Sequence, residues 1–382
     1  MNRLEVKNLC IYHSKKISDE NAIVKDISID ILEGELIGLL GLNGSGKSSI
    51  ASGLCGFIPH VDSNLSKGFV WGNERRRMTG KIFIDGEDKT LLSPQERYIG
   101  LVPQNLLLYP KTTVYGNIAR PLENLGINKE EIDKRVKELS EKFGIADILN
   151  KDVSRISGGQ QQRTACARAI IKRPKVLIFD EAFSNLDTIY KGEQILFIKS
   201  IIKEYGSAAI FITHDPKEAS IFYDRLLILK DKEIHQIGTP LEIYQNPSTI
   251  FVGKFFSEID TVLKVNYNPQ QNNFETPAKN ILDHKPHIIG ERELLNIQYI
   301  GFRKDNILLT EFSNGFIPVS IIDKFSIGNE IYYKILIDQS TFGVAKANGI
   351  KNDRSSLYGI KVNSSLNNIF YFDKNGKLIN KE

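Results

Sequence analysis

The chain has 382 residues, of which 41% are hydrophobic and 25% are charged. This composition is ordinary for a globular protein and excludes a largely disordered chain, and the length suffices for two or three domains. The 50 basic and 46 acidic side chains leave a formal charge of +4, which is too small a surplus to predict nucleic-acid binding. No run of about 18 uncharged apolar residues occurs, so the sequence predicts no membrane-spanning helix.

Three isolated cysteines, Cys10, Cys55 and Cys166, have no paired spacing. They are typical of a reducing compartment and not of a disulfide framework or a zinc site. Residues 1–7 carry no apolar signal core, so we expect no secretion. The basic run at residues 75–77 indicates either a solvated loop or a phosphate, lipid or partner contact.

Alternating strands and helices are predicted for the first two thirds of the chain. Residues 4–9 alternate apolar and polar side chains, which predicts an edge strand, and residues 27–32 alternate before a turn at 33–34. Residues 35–40 form a short apolar run that enters a glycine-rich loop, and a helix can begin at Lys47. A strand, a glycine loop and a helix in this order are the context that a phosphate-binding loop requires.

Farther along, Asn128 precedes a helical pattern and Pro174 precedes an apolar strand at 176–179. A second apolar strand at 208–213 ends at His214. Near-continuous apolar strands are typical of a parallel sheet that helices cover on both faces.

Two regions lack this alternation. Residues 60–79 show no clear period and contain the only tryptophan, Trp71, which indicates a packed surface excursion or a partner-docking finger. After Pro247 the chain has short β-like stretches separated by polar turns, which predict a small antiparallel barrel or sandwich. These stretches lie at 261–265, 293–299, 307–311, 316–322 and 368–372.

Residues 41–48 read GLNGSGKS and match the phosphate-binding loop pattern. Its glycines let backbone N–H groups point at phosphate oxygens, and the helix that follows contributes its positive end. Lys47 is placed to neutralise the β- and γ-phosphates, and the Ser48 hydroxyl to ligate Mg²⁺. The nucleotide-binding residues predicted here are Gly41, Asn43, Gly44, Ser45, Gly46, Lys47, Ser48 and Ser49.

Residues 176–181 read VLIFDE, so that two acids end a hydrophobic strand. Asp180 suits a contact to Mg²⁺, and Glu181 suits polarising the water that attacks the γ-phosphate. A merely solvated strand end is the alternative. We expect this strand to lie beside the one that feeds the phosphate loop.

Residues 156–163, ISGGQQQR, resemble the signature sequence of ABC ATPases, and the other motifs follow that family's order. The resemblance implies that the signature residues reach across a dimer interface to the γ-phosphate held by the other subunit. Such a contact is physically plausible, because a serine hydroxyl and glycine amides at a helix N-terminus form an anion site. Since neither half-site is complete alone, two subunits would then enclose two ATP molecules. The residues concerned are Ser157, Gly158, Gly159 and Gln160.

The resemblance also implies roles for three isolated residues. Gln104 matches the glutamine loop, which senses Mg²⁺ and nucleotide and signals to a membrane partner. His214 matches the switch histidine at the γ-phosphate, and Asp187 matches the loop that communicates between the two sites. The catalytic set implied in this way is Glu181, His214 and Gln104, and the Mg²⁺ set is Ser48, Gln104 and Asp180.

The adenine contact stays open between two residues. The family stacks an aromatic ring on adenine from the end of the first strand, where both Tyr12 and His13 lie. Register favours His13 and chemistry favours Tyr12.

The ABC resemblance implies an α/β P-loop ATPase domain over residues 1–245, with a RecA-like core and a helical subdomain at about 105–165. Residues 238–256 resemble the connector of bacterial importers for maltose, glycerol phosphate, polyamines, ferric iron or sulfate. The ATPase subunits of those systems carry a C-terminal oligonucleotide-fold-like (TOBE) domain, whose end residues 368–379 resemble. Residues 246–382 are therefore expected to form a connector and a small all-β domain, which serves regulation or dimerisation and packing.

The implied function is that of the ATP-hydrolysing subunit of a bacterial ABC importer. An exporter ATPase is one alternative, against which the C-terminal domain argues. A soluble ABC protein on ribosomes or DNA is another, against which the single motif set and the lack of sustained heptads argue.

The implied ligands are ATP and Mg²⁺, and the implied site of action is the cytoplasmic face of the cell membrane. The implied partners are a second ATPase subunit, permease subunits within the membrane and, indirectly, an extracytoplasmic solute-binding protein, but no nucleic acid. Because selectivity lies in those partners, this chain alone does not specify the transported substrate.

Overall fold

The structure, a computed structural model, divides into two compact units, Met1–Pro240 and Leu241–Glu382. Most of the segment at 60–79, including Trp71, lies outside the described residues, as does Asp187. The described residues are 1–14, 17–62, 76–184, 188–277, 281–282, 291–312, 317–337, 341–347, 358–362 and 369–379.

The described residues of the first unit form ten strands. They are β1 (Asn2–Tyr12), β2 (Ala22–Leu32), β3 (Leu36–Gly41), β4 (Arg77–Ile84), β5 (Glu87–Asp88), β6 (Ile99–Val102), β7 (Val176–Asp180), β8 (Ala208–Thr213), β9 (Arg225–Lys230) and β10 (Glu233–Gly238). An antiparallel sheet has the order β2-β1-β4-β5, and a six-stranded sheet has the order β10-β9-β3-β8-β7-β6. All strands of the six-stranded sheet pair in parallel except β10.

The helices of the first unit follow from apolar periodicity and from caps. Asn128 begins one of them by accepting a hydrogen bond from the backbone N–H of Glu131 at 2.9 Å, and Ile132, Val136 and Leu139 on its inner face are buried. None of the helices within the described ranges is long and apolar enough to cross a membrane. The helices are α1 (Lys47–Leu54), α2 (Pro94–Arg97), α3 (Val114–Glu123), α4 (Lys129–Lys142), α5 (Gly158–Ile170), α6 (Thr188–Tyr205) and α7 (Pro216–Phe222).

The main hydrophobic core joins the two sheets around α1. Val6 of β1, Leu39 of β3 and Ile50 of α1 belong to this cluster and are almost fully buried. Each such side chain contributes about 1.5–3 kcal/mol relative to exposure in water. Between β6 and β7 the chain forms a helical region in which α3 contacts both α4 and α5.

Two sequence predictions about strand positions were wrong. β1 is not an edge strand, since it pairs with β2 on one side and β4 on the other. Alternation reports a half-buried face and does not distinguish an edge strand from an interior one. Nor does β7 lie beside β3, because β8 is inserted between them. Because β8 lies between them, His214, which follows β8, comes between the phosphate-binding loop after β3 and the acidic residues at the end of β7.

The second unit is dominated by short strands. Residues 293–299 were predicted as a strand, but a helix ends at Leu294 and the strand begins at Tyr299. The helices are α8 (Pro240–Gln245), α9 (Ile250–Phe255) and α10 (Glu291–Leu294). The strands are β11 (Thr261–Lys264), β12 (Asn266–Asn268), β13 (Asn273–Glu275), β14 (Ile281–Leu282), β15 (Tyr299–Phe302), β16 (Ile307–Glu311), β17 (Ile317–Ile327), β18 (Glu330–Ile337), β19 (Thr341–Ala347), β20 (Tyr358–Val362) and β21 (Ile369–Phe372).

Five of these strands close into a small barrel in the order β16-β19-β18-β17-β20. Two three-stranded sheets, β11-β15-β21 and β12-β13-β14, complete the unit. Closure leaves the barrel with a packed interior, in which Ile307, Ile335 and Ile360 are buried.

Candidate functional site

The loop between β3 and α1 has a shape that only glycine permits at two positions. Gly46 has a φ of +106°, and a Cβ there would lie 2.4 Å from Cγ1 of Val24. At Gly41 a Cβ would lie 2.4 Å from the carbonyl oxygen of Leu229 on β9. The loop therefore presents backbone rather than side chains, and the N-terminus of α1 follows it directly. This arrangement suits a bound phosphate.

Lys47 supplies a cation inside this loop. Its side chain is buried, and Nζ donates to the carbonyl oxygens of Gly41 at 2.9 Å and Leu42 at 3.0 Å. Burial lowers the pKa of Lys47, while the nearby carboxylates of Glu181 and Asp180 raise it. The ammonium group is thus held where an anion in the loop would meet it.

Ser48 and Asp180 bring two oxygen atoms together across the cleft. Ser48 Oγ, on the first turn of α1, donates to Asp180 Oδ1 at the end of β7 over 3.1 Å. Burial raises the pKa of Asp180, which the Ser48 hydrogen bond partly offsets. An octahedral Mg²⁺ with ligands at 2.0–2.1 Å places adjacent ligand oxygens about 3 Å apart. The pair therefore fits two neighbouring positions around one magnesium ion.

Glu181 is the point where three predicted catalytic residues meet. Its backbone has a φ of +48°, and its N–H donates to the carbonyl oxygen of Ile212 on β8 at 3.1 Å. Gln104 Nε2 donates to Glu181 Oε2 at 3.1 Å, and His214 Nδ1 lies 3.3 Å from Oε1. The carboxylate is thus oriented from both sides, as a group that positions or deprotonates a water must be.

The signature residues lie at the start of α5 and form a capping box. Ser157 Oγ accepts from the N–H of Gln160 at 3.3 Å, and Gln160 Oε1 accepts from the N–H of Ser157 at 3.0 Å. Ser157 and Gly158 are exposed. One turn further, Gln162 is buried and its Nε2 donates to the carbonyl oxygen of Ala182 at 2.8 Å, which ties α5 to the segment after Glu181.

A cleft of about 550 Å³ lies over the phosphate loop. It brings together the loop, Gln104 and Glu181, whereas the signature residues are not part of its lining. The lining residues are His13, Glu20, Ala22, Ile23, Asn43, Gly44, Ser45, Gly46, Lys47, Ser48, Ser49, Arg76, Gln104, Glu181 and Lys232. Its volume is in the range of small-molecule and cofactor sites.

Comparison with known proteins agrees with this geometry. Residues 24–184 match the ABC transporter family. The Fe(3+) ions import ATP-binding protein FbpC of Fusobacterium nucleatum is 35% identical over 280 residues, which cover 72% of this chain and 71% of that protein. The chain belongs to the ABC transporter ATP-binding proteins. It is therefore an ATP-binding protein and an ATPase, as the sequence predicted.

Two further comparisons bear on the ABC ATPase family and fold. The sn-glycerol-3-phosphate import ATP-binding protein UgpC of Vibrio cholerae is 34% identical over 252 residues, covering 66% of this chain and 62% of that protein. The solved structure of cbiO1 from Clostridium perfringens, part of the ABC transporter complex cbiONQ, has a TM-score of 0.52 and 26% identity, covering 64% of this chain and 90% of that one. The predicted fold, an ABC ATPase domain followed by a small β barrel, is confirmed.

The two adenine candidates of this ABC ATPase differ in position. His13 lines the cleft. Tyr12 is 9% exposed and pairs within the sheet with Ala22 and Arg77. The geometry therefore favours an adenine contact by His13, and the choice between the two residues stays a prediction.

Other residues that line the cleft were not predicted as site residues from the sequence. Arg76 Nη1 donates to Ser49 Oγ at 3.4 Å, so the guanidinium lies beside the first turn of α1. A guanidinium in that place can contact phosphate oxygens. The basic run at 75–77 was the available signal, since a phosphate contact was one of its interpretations. Glu20 and Lys232 carried no signal, because the chain places them at the cleft only through folding.

Proposed function

We propose that this ABC ATPase is the ATP-hydrolysing subunit of a bacterial importer. The observation that carries the proposal is the Glu181 carboxylate, which lies at the phosphate cleft between Gln104 and His214. The importer direction is supported by the names of the similar iron and glycerol-3-phosphate subunits and by the small β barrel of the second unit.

In the proposed reaction the loop amides and Lys47 bind the phosphates of ATP. When bound, Mg²⁺ would neutralise charge on the β- and γ-phosphates, and Ser48 and Asp180 are the residues that would hold it. Glu181 orients a water and accepts its proton as the water oxygen bonds to the γ-phosphorus and the bond to the leaving oxygen of ADP breaks. Gln104 and His214 hold the carboxylate in place for this step.

We propose further that hydrolysis requires a second copy of the chain. Ser157 and Gly158 are exposed and lie outside the cleft of their own chain, so their anion must come from elsewhere. Since one polypeptide carries both the phosphate loop and the signature, two copies can complete two sites. Asp187 keeps its predicted role in communication between the sites.

The proposed partner within the membrane is a permease, on which the dimer acts as a peripheral subunit at the cytoplasmic face, and an extracytoplasmic solute-binding protein is an indirect partner. Gln104 lines the cleft and directly precedes the helical region at 105–165, to which α3, α4 and most of α5 belong. We therefore propose Gln104 and this region as the contact with the permease. The transported solute stays open, since the similar proteins are named for iron and for glycerol-3-phosphate.

The experiment that tests this proposal uses Glu181→Gln. The variant should bind ATP normally and lose about 1000-fold in turnover, because the amide cannot accept the proton of the water. Tagged and expressed in its native host with ATP and Mg²⁺ kept present, it should co-purify with a polytopic permease, which mass spectrometry identifies.

Glu141→Gln, an exposed position on α4, serves as the matched control and should hydrolyse ATP like the wild type. Undiminished hydrolysis by Glu181→Gln would contradict the proposed base. Recovery of ribosomal proteins or DNA without a permease would contradict the importer and favour a soluble ABC protein.

A further inference from the structure

A buried carboxylate that the proposed chemistry does not use lies close to His214. Glu218 is on α7, and its side chain is 6% exposed. Its Oε1 accepts from the hydroxyl of Tyr223, and its Oε2 accepts from Thr213 Oγ1 at 3.2 Å and pairs with Lys191 Nζ. Both oxygens of this acid are thus satisfied inside the protein, which is the condition for keeping a charge there.

Glu218 fixes the backbone on both sides of His214. Thr213, the residue before His214, donates its hydroxyl to Glu218 and accepts from the N–H of Asp215 at 3.1 Å. Asp215, the residue after His214, caps α7 by accepting from the N–H of Lys217 at 2.9 Å. The histidine is therefore held between two residues that share one hydroxyl, and that hydroxyl is bonded to Glu218.

Lys191 connects this network to α6. That helix begins at Thr188, so Lys191 lies within its first turn. Its side chain is 15% exposed, and the next residue, Gly192, packs so closely on α7 that a Cβ would lie 2.9 Å from Cζ of Phe222. Because the two helices are in close contact, the ion pair has little freedom to rearrange. Exposed ion pairs lack this constraint and hold geometry weakly.

We propose that Lys191 and Glu218 form a positioning pair that sets the distance between His214 and Glu181. Neither residue lines the cleft over the phosphate loop. Both line a neighbouring pocket with Thr213 and His214, and the pair acts through Thr213 on the strand end that precedes His214. The inference rests on the roles proposed above for His214 and Glu181. It assigns to a buried ion pair an effect on the rate of hydrolysis, beyond its effect on stability.

The test compares steady-state ATP hydrolysis by the purified full chain with its nucleotide affinity. In the double variant Lys191→Met/Glu218→Gln no lone charge stays buried, so the protein can fold without the pair. We expect kcat to fall roughly 10- to 100-fold with KM and ATP affinity unchanged, because small displacements of a catalytic group are costly in rate. Thr213→Val, which keeps the pair and removes the hydroxyl link, should show the same selective loss of kcat.

A second ion pair on the same helix provides the matched control. Lys199 Nζ pairs with Asp224 Oδ1 at 2.7 Å, two helical turns beyond Lys191. Lys199→Met/Asp224→Asn should lower the melting temperature and leave kcat at the wild-type value. Lys191→Arg, which preserves the pair, should retain the wild-type kcat.

Wild-type kcat in both Lys191→Met/Glu218→Gln and Thr213→Val would overturn the inference. So would a loss of kcat that follows the melting temperature across all variants, the Lys199 control included. The variant His214→Ala distinguishes a failure of the positioning pair from a failure of the proposed role of His214. If His214→Ala lowers kcat and the pair variants do not, only the positioning pair is rejected. If His214→Ala keeps the wild-type kcat, the proposed role of His214 fails and the positioning pair fails with it.

Discussion

Helices α1 and α5 both begin at glycine-rich segments, and their N-termini have different surroundings. At α1 the loop is accompanied by a buried lysine, and Ser48 bonds to Asp180 across the cleft. At α5 Ser157 and Gln160 bond to each other in the capping box, and a Cβ added at Gly158 would meet none of the described atoms within 4 Å.

The difference shows what each helix end can do alone. A helix N-terminus attracts anions by about 0.3–1 kcal/mol at an exposed surface, which is too little to bind a nucleotide. The α1 end adds a cation and two oxygen atoms that suit Mg²⁺, so we infer that it can hold ATP by itself. The α5 end offers the Ser157 hydroxyl and backbone N–H groups but does not line the cleft, so we infer that it contributes only when another chain presents a phosphate to it.

The largest effect that would break this comparison is expected from Ser157→Arg. Hydrolysis should fall at least about 100-fold, because the bulky cation blocks closure onto the second phosphate. ATP affinity of the isolated chain should stay unchanged, and ATP-dependent dimerisation, measured by analytical ultracentrifugation, should be lost. Ser93→Arg removes the cap of another capping box, at α2, and controls for helix stability. ATP-dependent dimers of Ser157→Arg would show that α5 does not need to approach the second site.

A smaller effect on hydrolysis is expected from Asp180→Asn at the α1 site, together with an increase in stability. Mg²⁺-dependent hydrolysis should fall about 100-fold, since the amide is a poor ligand for a divalent cation. The stability of the folded variant should increase. Burial raises the pKa of Asp180, so its contribution to folding is present below the unfolded pKa of about 3.9 and is lost as the pH rises through the folded value. At pH 7 the nucleotide-free variant should therefore melt at a higher temperature than the wild type.

Asp88 provides the opposite control for that measurement. Hydrogen bonds from Thr90 lower the pKa of Asp88, so its stabilising contribution is present above the unfolded pKa and is lost as the pH falls through the folded value. Asp88→Asn should therefore lower the melting temperature at pH 7. A lower melting temperature for Asp180→Asn as well would contradict the interpretation that partial burial of the Asp180 carboxylate destabilises the fold at pH 7.

The smallest effect is expected at His13, which lines the cleft, and it distinguishes the two adenine candidates. His13→Ala should weaken ATP binding about tenfold, because stacking of a ring on a base contributes about 1–3 kcal/mol. Tyr12→Phe keeps the buried ring and should bind ATP like the wild type. Fluorescence titration with an ATP analogue measures both. Equal affinities for His13→Ala and the wild type would show that the adenine contact lies elsewhere.

The position of the α1 site was predictable from the sequence, because a glycine-rich motif requires a particular local backbone. Gly41, Gly46 and Lys47 lie where the pattern requires them, and strand β3 enters the loop as expected. The order of the strands was not predictable in this way. β7 and β8 are both apolar and both suit a position next to β3, and only the crossovers decide which strand takes it.

Residues brought to the cleft from distant segments were also beyond the sequence. Lys232 comes from the turn between β9 and β10, and Glu20 comes from the segment before β2. In the second unit the pattern predicted short strands and polar turns but assigned residues 293–299 to a strand. That stretch contains the end of α10 and the residues that lead to β15, and it is too short for its hydrophobic period to distinguish a helix from a strand.

The hydrogen bond from Gln162 to the carbonyl oxygen of Ala182 has a consequence for cooperativity. It joins the helix that we propose to serve the partner's ATP to the segment that carries Glu181, the proposed general base for the chain's own ATP. In a symmetric pair this link occurs twice, so that each site is connected to the other through both chains. We therefore expect the rate of hydrolysis to rise sigmoidally with ATP concentration, with a Hill coefficient above one and limited to about two by the number of sites.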